Sequence, residues 1–449
     1  MSKKTFYIET LGCKVNHYES DGIASELESR GLKRGKKKEN ADVCIINTCS
    51  VTSKAGMQSR QAIRKLIRNN PDAKILVTGC HAQTDPELAK QIPEIDHIVC
   101  HRDKTQITQC LAPCKSEPEK NQFEFKKADH TNSNQFIGFD EPVSGSMTRA
   151  YLKIQDGCNQ FCTYCIVPYA RGASVSMPQN DVIRHMDGLA QKGFREVIIT
   201  GIHTGMYGLD FNPPTSLAEM VKLMDEKKQV ERIRISSIEP NEISPELIDM
   251  AKPGHILCDH FHIPLQSGDD AVLEKMKRPY TVEEFTSVIY SIHKDLPFAG
   301  IGLDIIMGFP GETDEAFENT YKLVESLPVS YLHVFPFSPR KGTPAFHFTP
   351  KVPSQLTKER CAIMRELGQK KQAAFIRSNK GRKLQALIQH QVDKGTGLLK
   401  AVTSNYLTVL VKDTSNQSPK AKEGLKGKMV DLIYKQCDSD LNIIGSIVC

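Results

Sequence analysis

Short apolar runs and longer amphipathic stretches alternate through the first quarter of the chain. The runs are KTFYIETL (4–11), ADVCIINT (41–48), AKILVTG (73–79) and IDHIVC (95–100), each of strand length. Between them, SDGIASELESRG (20–31) and KAGMQSRQAIRKLIRNN (54–70) repeat apolar positions at helical spacing. This alternation predicts an α/β unit over residues 1–114, with a parallel sheet covered by helices. Residues 115–146 are polar and aperiodic and read as a linker. From 147 to 375 the alternation resumes on a longer beat, with strand candidates RAYLKIQ, REVIITG, RIRISSI, HFHIPLQ, GIGLDIIMG and YLHVFPF. Helical stretches such as NDVIRHMDGLAQKG and TDEAFENTYKLVESL separate them. Six βα units predict an open, partial (β/α)6 barrel, whose site lies at the carboxyl ends of its strands. Over 378–449 the helical period is lost. KLQALIQHQ, LLKAVTSNYLTVLVK and KMVDLIYKQ predict a small antiparallel β-barrel.

Composition narrows the class. The 449 residues are 39% hydrophobic and 25% charged, as in soluble globular proteins. No apolar run approaches the ~20 residues that span a bilayer, so no membrane partner is expected. The opening MSKKTFYIETLGC reads as a first strand rather than a signal peptide, which predicts a cytoplasmic protein. In that compartment fourteen cysteines are not a disulfide framework, and spacing has to separate metal ligands from core thiols. The net charge of +6 is unevenly placed: residues 378–449 hold eleven Lys/Arg against six Asp/Glu, and LKRGKKK (32–38) forms a second basic run. Each is either a solvated face or a footprint for a polyanion, most simply nucleic acid.

The densest chemistry is DGCNQFCTYC, where Cys158, Cys162 and Cys165 follow a C-x3-C-x2-C spacing. A structural zinc site wants four ligands and no fourth lies nearby, whereas three thiolates suit a [4Fe–4S] cluster with one iron left open. Gly157 and Gly172 let the backbone turn tightly around such a core. The stretch DGCNQFCTYCIVPYARG resembles the signature loop of the radical S-adenosylmethionine superfamily, including the aromatic Tyr164 before the last cysteine. The resemblance implies that S-adenosylmethionine chelates the open iron. An electron then splits its carbon–sulfur bond and yields a 5′-deoxyadenosyl radical that abstracts hydrogen.

Three further cysteines, Cys13, Cys49 and Cys80, each close a predicted strand. In a parallel sheet all carboxyl ends share one edge, so these thiols can converge despite their separation in sequence. TLGCKVNHYES, NTCSVTSKA and TGCHAQ are similar to the ligand segments of the methylthiotransferase family. That resemblance implies a second [4Fe–4S] cluster, a radical S-adenosylmethionine core and a C-terminal TRAM domain that binds RNA. Cys100 also ends a strand-like run, as a rival ligand where the family has glycine. Cys44 reads as core, and Cys110, Cys114, Cys258, Cys361, Cys437 and Cys449 show no pairing pattern.

Polar groups at the strand ends are candidates for holding the sulfonium nucleoside: Thr200, Gly201 and His203; Ser236, Ser237 and Glu239; Gln266 and Ser267; and Asp304. The alternative for each is a satisfied strand end or helix cap, and for Asp304 a buried acid bound to backbone amides. Tyr164, Gly201, Ser236 and Gln266 are the expected cofactor contacts. Val175 and Met177 stand where this branch of the family carries arginines, which leaves Arg171 as the local candidate for an anion.

TLGCKVN, TGIHTG, RIRISSIE and FSPRKGTPA resemble the branch that acts on threonylcarbamoyladenosine in tRNA. The implied reaction replaces the carbon-2 hydrogen of that nucleoside, just after the anticodon, with a methylthio group. The implied partners are tRNA, an electron donor such as a flavodoxin or ferredoxin, and a sulfur source. The same chemistry on isopentenyladenosine tRNA or on a ribosomal-protein aspartate is the alternative. A non-catalytic iron–sulfur protein that binds RNA or senses is the alternative of another class.

Overall fold

The first sheet is parallel and five-stranded, in the order β2-β1-β3-β4-β5. Its strands are β1 (Thr5–Thr10), β2 (Lys33–Arg34), β3 (Val43–Thr48), β4 (Lys74–Gly79) and β5 (His97–Ile98). The computed structural model describes residues 4–35, 40–85, 87–111, 135–139, 147–412, 419–438 and 441–448. Most of the expected linker, Lys36 to Lys38 of the basic run, Cys114 and Cys449 lie outside the described residues.

Helix α1 (Lys14–Ser29) follows β1 and helix α2 (Ser53–Asn69) follows β3. Val43 and Ile45 share a core with Tyr18, Ile23 and Leu27 of α1, while Cys44 and Ile46 share one with Ile63 and Leu66 of α2. A strand buried on both faces reads as an unbroken apolar run, which is why VCII does not alternate and why Cys44 is core.

All six expected barrel strands form: β6 (Ala150–Lys153), then, after a short antiparallel pair β7 (Gln155–Asp156) and β8 (Val175–Ser176), β9 (Glu196–Thr200), β10 (Arg232–Ile235), β11 (His260–Gln266), β12 (Gly300–Met307) and β13 (Tyr331–Pro336). They pair in parallel as β6-β9-β10 and β11-β12-β13. Isolated parallel bridges Ile233↔Leu257 and Ser237↔His262 join the two halves into one open arc.

The tail forms a closed five-stranded barrel, β14 (Lys383–Val392), β15 (Leu399–Thr403), β16 (Thr408–Val411), β17 (Met429–Cys437) and β18 (Ile443–Ile447), in the order β14-β15-β16-β18-β17. The small antiparallel barrel expected here forms, with one parallel contact, between β16 and β18. Strand direction cannot alternate all the way round a closed ring of odd number. The helix Ser354–Ser378 joins this barrel to the partial one: Cys361, Met364 and Leu367 belong to the larger core and Ile376 to the tail core.

Buried charge fastens the tail to β10. Glu196 accepts from Arg232 Nε at 2.6 Å and from Arg234 Nε at 3.0 Å. The same guanidinium groups donate to the carbonyls of Val402 (2.6 Å), Thr403 (3.0 Å) and Ser404 (2.7 Å). Among the described residues no helix is long and apolar enough to cross a membrane.

Candidate active site

Cys13, Cys49 and Cys80 come together at the carboxyl edge of the first sheet. Cys13 is the N-cap of α1, Cys49 follows β3, and Cys80 opens helix α3 (Cys80–Thr84). Gly12, at φ +102°, brings the loops of Cys13 and Cys49 into contact: a Cβ there would stand 2.8 Å from Cys49 Cβ and 2.9 Å from its Sγ. Buried amides and hydroxyls set the loops. Asn16 Nδ2 donates to the carbonyls of Leu11 (2.7 Å) and Thr48 (3.1 Å), Asn47 Nδ2 donates to Asn16 O (3.0 Å), and Ser59 Oγ donates to Cys49 O (2.9 Å). Burial raises Cys13 and pushes Cys49 up to about 11; each feels Cys80, and the Arg171 guanidinium opposes the shift. Cys100 is buried beyond β5 and is not on the wall of the cavity described below.

The loop carrying the other trio is pinched off by the β7–β8 pair. Gly157 sits at φ +72°, and a Cβ there would lie 1.9 Å from Ala173 O, so no side chain fits. Cys158 N donates to Gly172 O (3.1 Å) and Cys165 N to Cys162 O (2.9 Å). Gln155 ties the loop to the end of β9, with Nε2 donating to Gly157 O (2.8 Å) and Oε1 accepting from the amides of Ile202 (3.0 Å) and His203 (2.8 Å). Cys158 Sγ lies 3.3 Å from His203 Nδ1, and His203 Nε2 is 2.6 Å from Glu242 Oε1. Burial works against protonation of His203, yet the bonds to Cys158 and Glu242 carry it to about 10. Arg278 Nη1 donates to Cys162 Sγ (3.2 Å) while Nη2 pairs with Glu239. Burial raises Cys162 against the pull of Arg278 and takes Cys165 to about 12.

All six of these thiols are free of disulfides. Each set offers three thiols, the donor number that suits a multi-iron core with one iron left open.

A cavity of about 740 Å³ connects the first trio to the mouth of the partial barrel. Cys13, Cys49 and Cys80 line it with Thr200, Gly201, Ser236 and Ser237, and Tyr406 reaches it from the tail. Val167 and Arg171 line it from the second loop, but none of Cys158, Cys162 and Cys165 is on its wall. Of the four expected cofactor contacts, Gly201 and Ser236 line the cavity; Tyr164 and Gln266 do not. Tyr164 packs edge-on against Phe309 at 6.4 Å, and Gln266 has φ +63° at the slip in the β11–β12 register. The floor is a hydrogen-bonded relay that the sequence did not suggest. Asp304 Oδ1 is 2.9 Å from His262 Nε2 and 3.2 Å from His333 Nδ1, and Tyr331 Oη is 2.8 Å from His260 Nε2 and 3.1 Å from His262 Nδ1. Burial would raise Asp304, but the two histidines hold it well below the usual carboxylate range. Histidines, not backbone amides, are therefore its partners.

Arg171 departs from expectation. Its guanidinium is buried and spent, with Nη1 donating to Glu19 Oε1 and Asp156 Oδ1 (2.9 Å each) and Nη2 to Asn16 Oδ1 (2.7 Å). Lys104 pairs with Glu19, Lys153 with Asp156 (2.7 Å), and His101 Nε2 lies 3.2 Å from Asp156 Oδ2. This network clamps α1 and the segment His101–Leu111 onto the base of the second cysteine loop. No sequence signal marks it, because its members are scattered and read as surface charges. Val175 and Met177 are 7% and 2% exposed and packed inside, so neither position faces the cavity.

Residues 5–100 match the family described as uncharacterized protein family UPF0004, and residues 152–324 match the radical SAM superfamily. The chain is 36% identical over 403 residues to a threonylcarbamoyladenosine tRNA methylthiotransferase of Aquifex aeolicus, covering 89% of this chain and 95% of that one. It is 38% identical over 418 residues to the Bacillus subtilis protein of the same description, covering 92% and 91%. In fold it is similar to the radical S-adenosylmethionine methyltransferase TsrM of Kitasatospora setae, with cobalamin and a [4Fe–4S] cluster bound. The TM-score is 0.57 at 14% identity, over 77% of this chain and 74% of that one.

Proposed function

The chain belongs to the tRNA methylthiotransferases of the radical S-adenosylmethionine superfamily, and on that footing we propose that it methylthiolates carbon 2 of threonylcarbamoyladenosine beside the anticodon. In this reading Cys158, Cys162 and Cys165 hold one [4Fe–4S] cluster and Cys13, Cys49 and Cys80 a second. Residues 1–114 carry the second cluster, 147–375 form the radical core, and 378–449 form the RNA-binding TRAM barrel. One observation carries the proposal: a cavity that joins the first cysteine trio to the strand ends Gly201 and Ser236.

When bound, the cluster pair and S-adenosylmethionine supply the electron, the hydrogen-abstracting radical and the methylthio group. The chain's residues orient and enclose. His203 and Arg278, fixed by Glu242 and Glu239, point hydrogen bonds at the sulfurs of Cys158 and Cys162 and orient them. The Glu19–Arg171–Asp156 clamp holds α1, whose N-cap is Cys13, against the base of the loop that carries Cys158, Cys162 and Cys165. The basic tail suits a phosphate backbone, whose contacts supply sequence-independent affinity. Electrons come from a flavodoxin or ferredoxin, sulfur from a separate donor, and the reaction runs in the cytoplasm.

Mass spectrometry of tRNA nucleosides from a deletion strain tests this reading. The methylthio derivative of threonylcarbamoyladenosine should vanish and return with the wild-type gene. Its persistence in the deletion strain overturns the assignment.

A further inference from the structure

Four formally charged side chains line the cavity: Lys14, Arg171, Arg234 and Asp304. Three are committed within the fold. Arg171 is spent on Glu19, Asp156 and Asn16; Arg234 on Glu196 and the carbonyls of Thr403 and Ser404; Asp304 on His262 and His333. The Lys14 ammonium makes no hydrogen bond or ion pair with the described residues, which leaves it as the one uncommitted charge on the wall. A half-buried lysine left unpaired in a polar cavity is costly unless an anion completes it.

The reacting nucleoside supplies such an anion. The threonylcarbamoyl group ends in a carboxylate, and it hangs from N6 of the purine. Carbon 2 and carbon 6, which bears N6, flank N1 on the same edge of the ring. A base that presents carbon 2 to the Cys13, Cys49 and Cys80 trio therefore brings its N6 substituent to the same side. Lys14, the residue after Cys13 and the first of α1, stands there. An isopentenyl group, lacking charge, would leave the ammonium unpaired.

We infer that Lys14 is the specificity residue for the substrate, its ammonium pairing with the carboxylate of the threonylcarbamoyl group. The inference rests on the function proposed above and adds the contact that selects this nucleoside. One charge-assisted contact corresponds to about a tenfold to hundredfold change in affinity.

The test uses the full chain carrying its iron–sulfur clusters, under anaerobic conditions. Two anticodon stem-loops serve as probes, one bearing threonylcarbamoyladenosine and the other its methyl ester. The wild-type protein should bind the acid at least tenfold more tightly than the ester. Lys14→Met should bind the two alike, and Lys14→Arg should retain the preference. Equal binding of acid and ester by the wild-type protein overturns the inference whatever the variants do. A preference that survives in Lys14→Met overturns it too, as does equal weakening for both probes. If the wild-type protein binds selectively but methylthiolates neither RNA given cofactor and reductant, the functional reading fails and the inference falls with it.

Discussion

Glu19 offers a quantitative test of how the two cysteine sets are held together. It is 1% exposed, and its carboxylate meets Arg171 at 2.9 Å, Lys153 at 3.7 Å and Lys104 closer still. At an effective dielectric near 20 the Arg171 contact alone corresponds to about 6 kcal/mol of attraction, most of which desolvation consumes. Glu19→Gln keeps the shape and removes the charge, leaving Lys104, Lys153 and Arg171 with Asp156 as the only carboxylate of the network. Removing one partner of a buried ion pair costs about 3–5 kcal/mol, the loss expected at pH 7 in an equilibrium denaturant titration followed by circular dichroism. Although burial opposes ionisation, the surrounding cations hold Glu19 below the usual carboxylate range in the folded chain. Its contribution is therefore complete above the unfolded value of about 4.3 and drains away as pH falls toward the folded value. The gap between wild type and variant should narrow in acid. A loss under about 1 kcal/mol at pH 7 would refute the clamp, and so would a gap as large at pH 3.

Gly157→Ala should displace the second cysteine loop, because the clashing atom is the backbone oxygen of Ala173 and cannot rotate away. Iron in anaerobically purified protein should fall from about eight to about four per chain, and full loading would contradict the geometry. Glu196→Gln should loosen the tail barrel by stranding Arg232 and Arg234, at a cost of about 3 kcal/mol or more; an unchanged thermal midpoint would count against that docking. If the basic tail makes about four phosphate contacts, tRNA affinity should drop on the order of a hundredfold between 50 and 200 mM salt; a flat response would remove it from the RNA interface.

The strands and the six candidate cysteines were legible in the sequence for a simple reason. Period-2 and unbroken apolar runs encode the pleat and its burial, and a parallel sheet brings every strand end to one edge. TGC at 78–80 and NTC at 47–49 therefore announced their meeting place although the residues between them did not. The supporting polar residues were not legible. Glu19, Lys104, Lys153 and Asp156 carry the letters of a solvated surface, and only three-dimensional closure turns them into a buried clamp. Arg171 looked like an anion site because its partners lie on other elements. Tyr164 was named from the signature loop and Gln266 from its place at a strand end; like Cys158, Cys162 and Cys165, neither is on the wall of the cavity that Cys13, Cys49 and Cys80 line. The parallel β16–β18 pair follows from five-fold closure, which no local pattern expresses.

The central claim is that the two cysteine sets perform separable halves of one reaction. Its most direct test is to incubate wild type and two triple variants anaerobically with S-adenosylmethionine, reductant and tRNA bearing threonylcarbamoyladenosine. Both 5′-deoxyadenosine and the methylthio nucleoside are then quantified by mass spectrometry. The account predicts that replacing Cys13, Cys49 and Cys80 by alanine spares 5′-deoxyadenosine and abolishes the methylthio product, whereas replacing Cys158, Cys162 and Cys165 abolishes both. Methylthiolation by the first variant, or 5′-deoxyadenosine from the second, would contradict it.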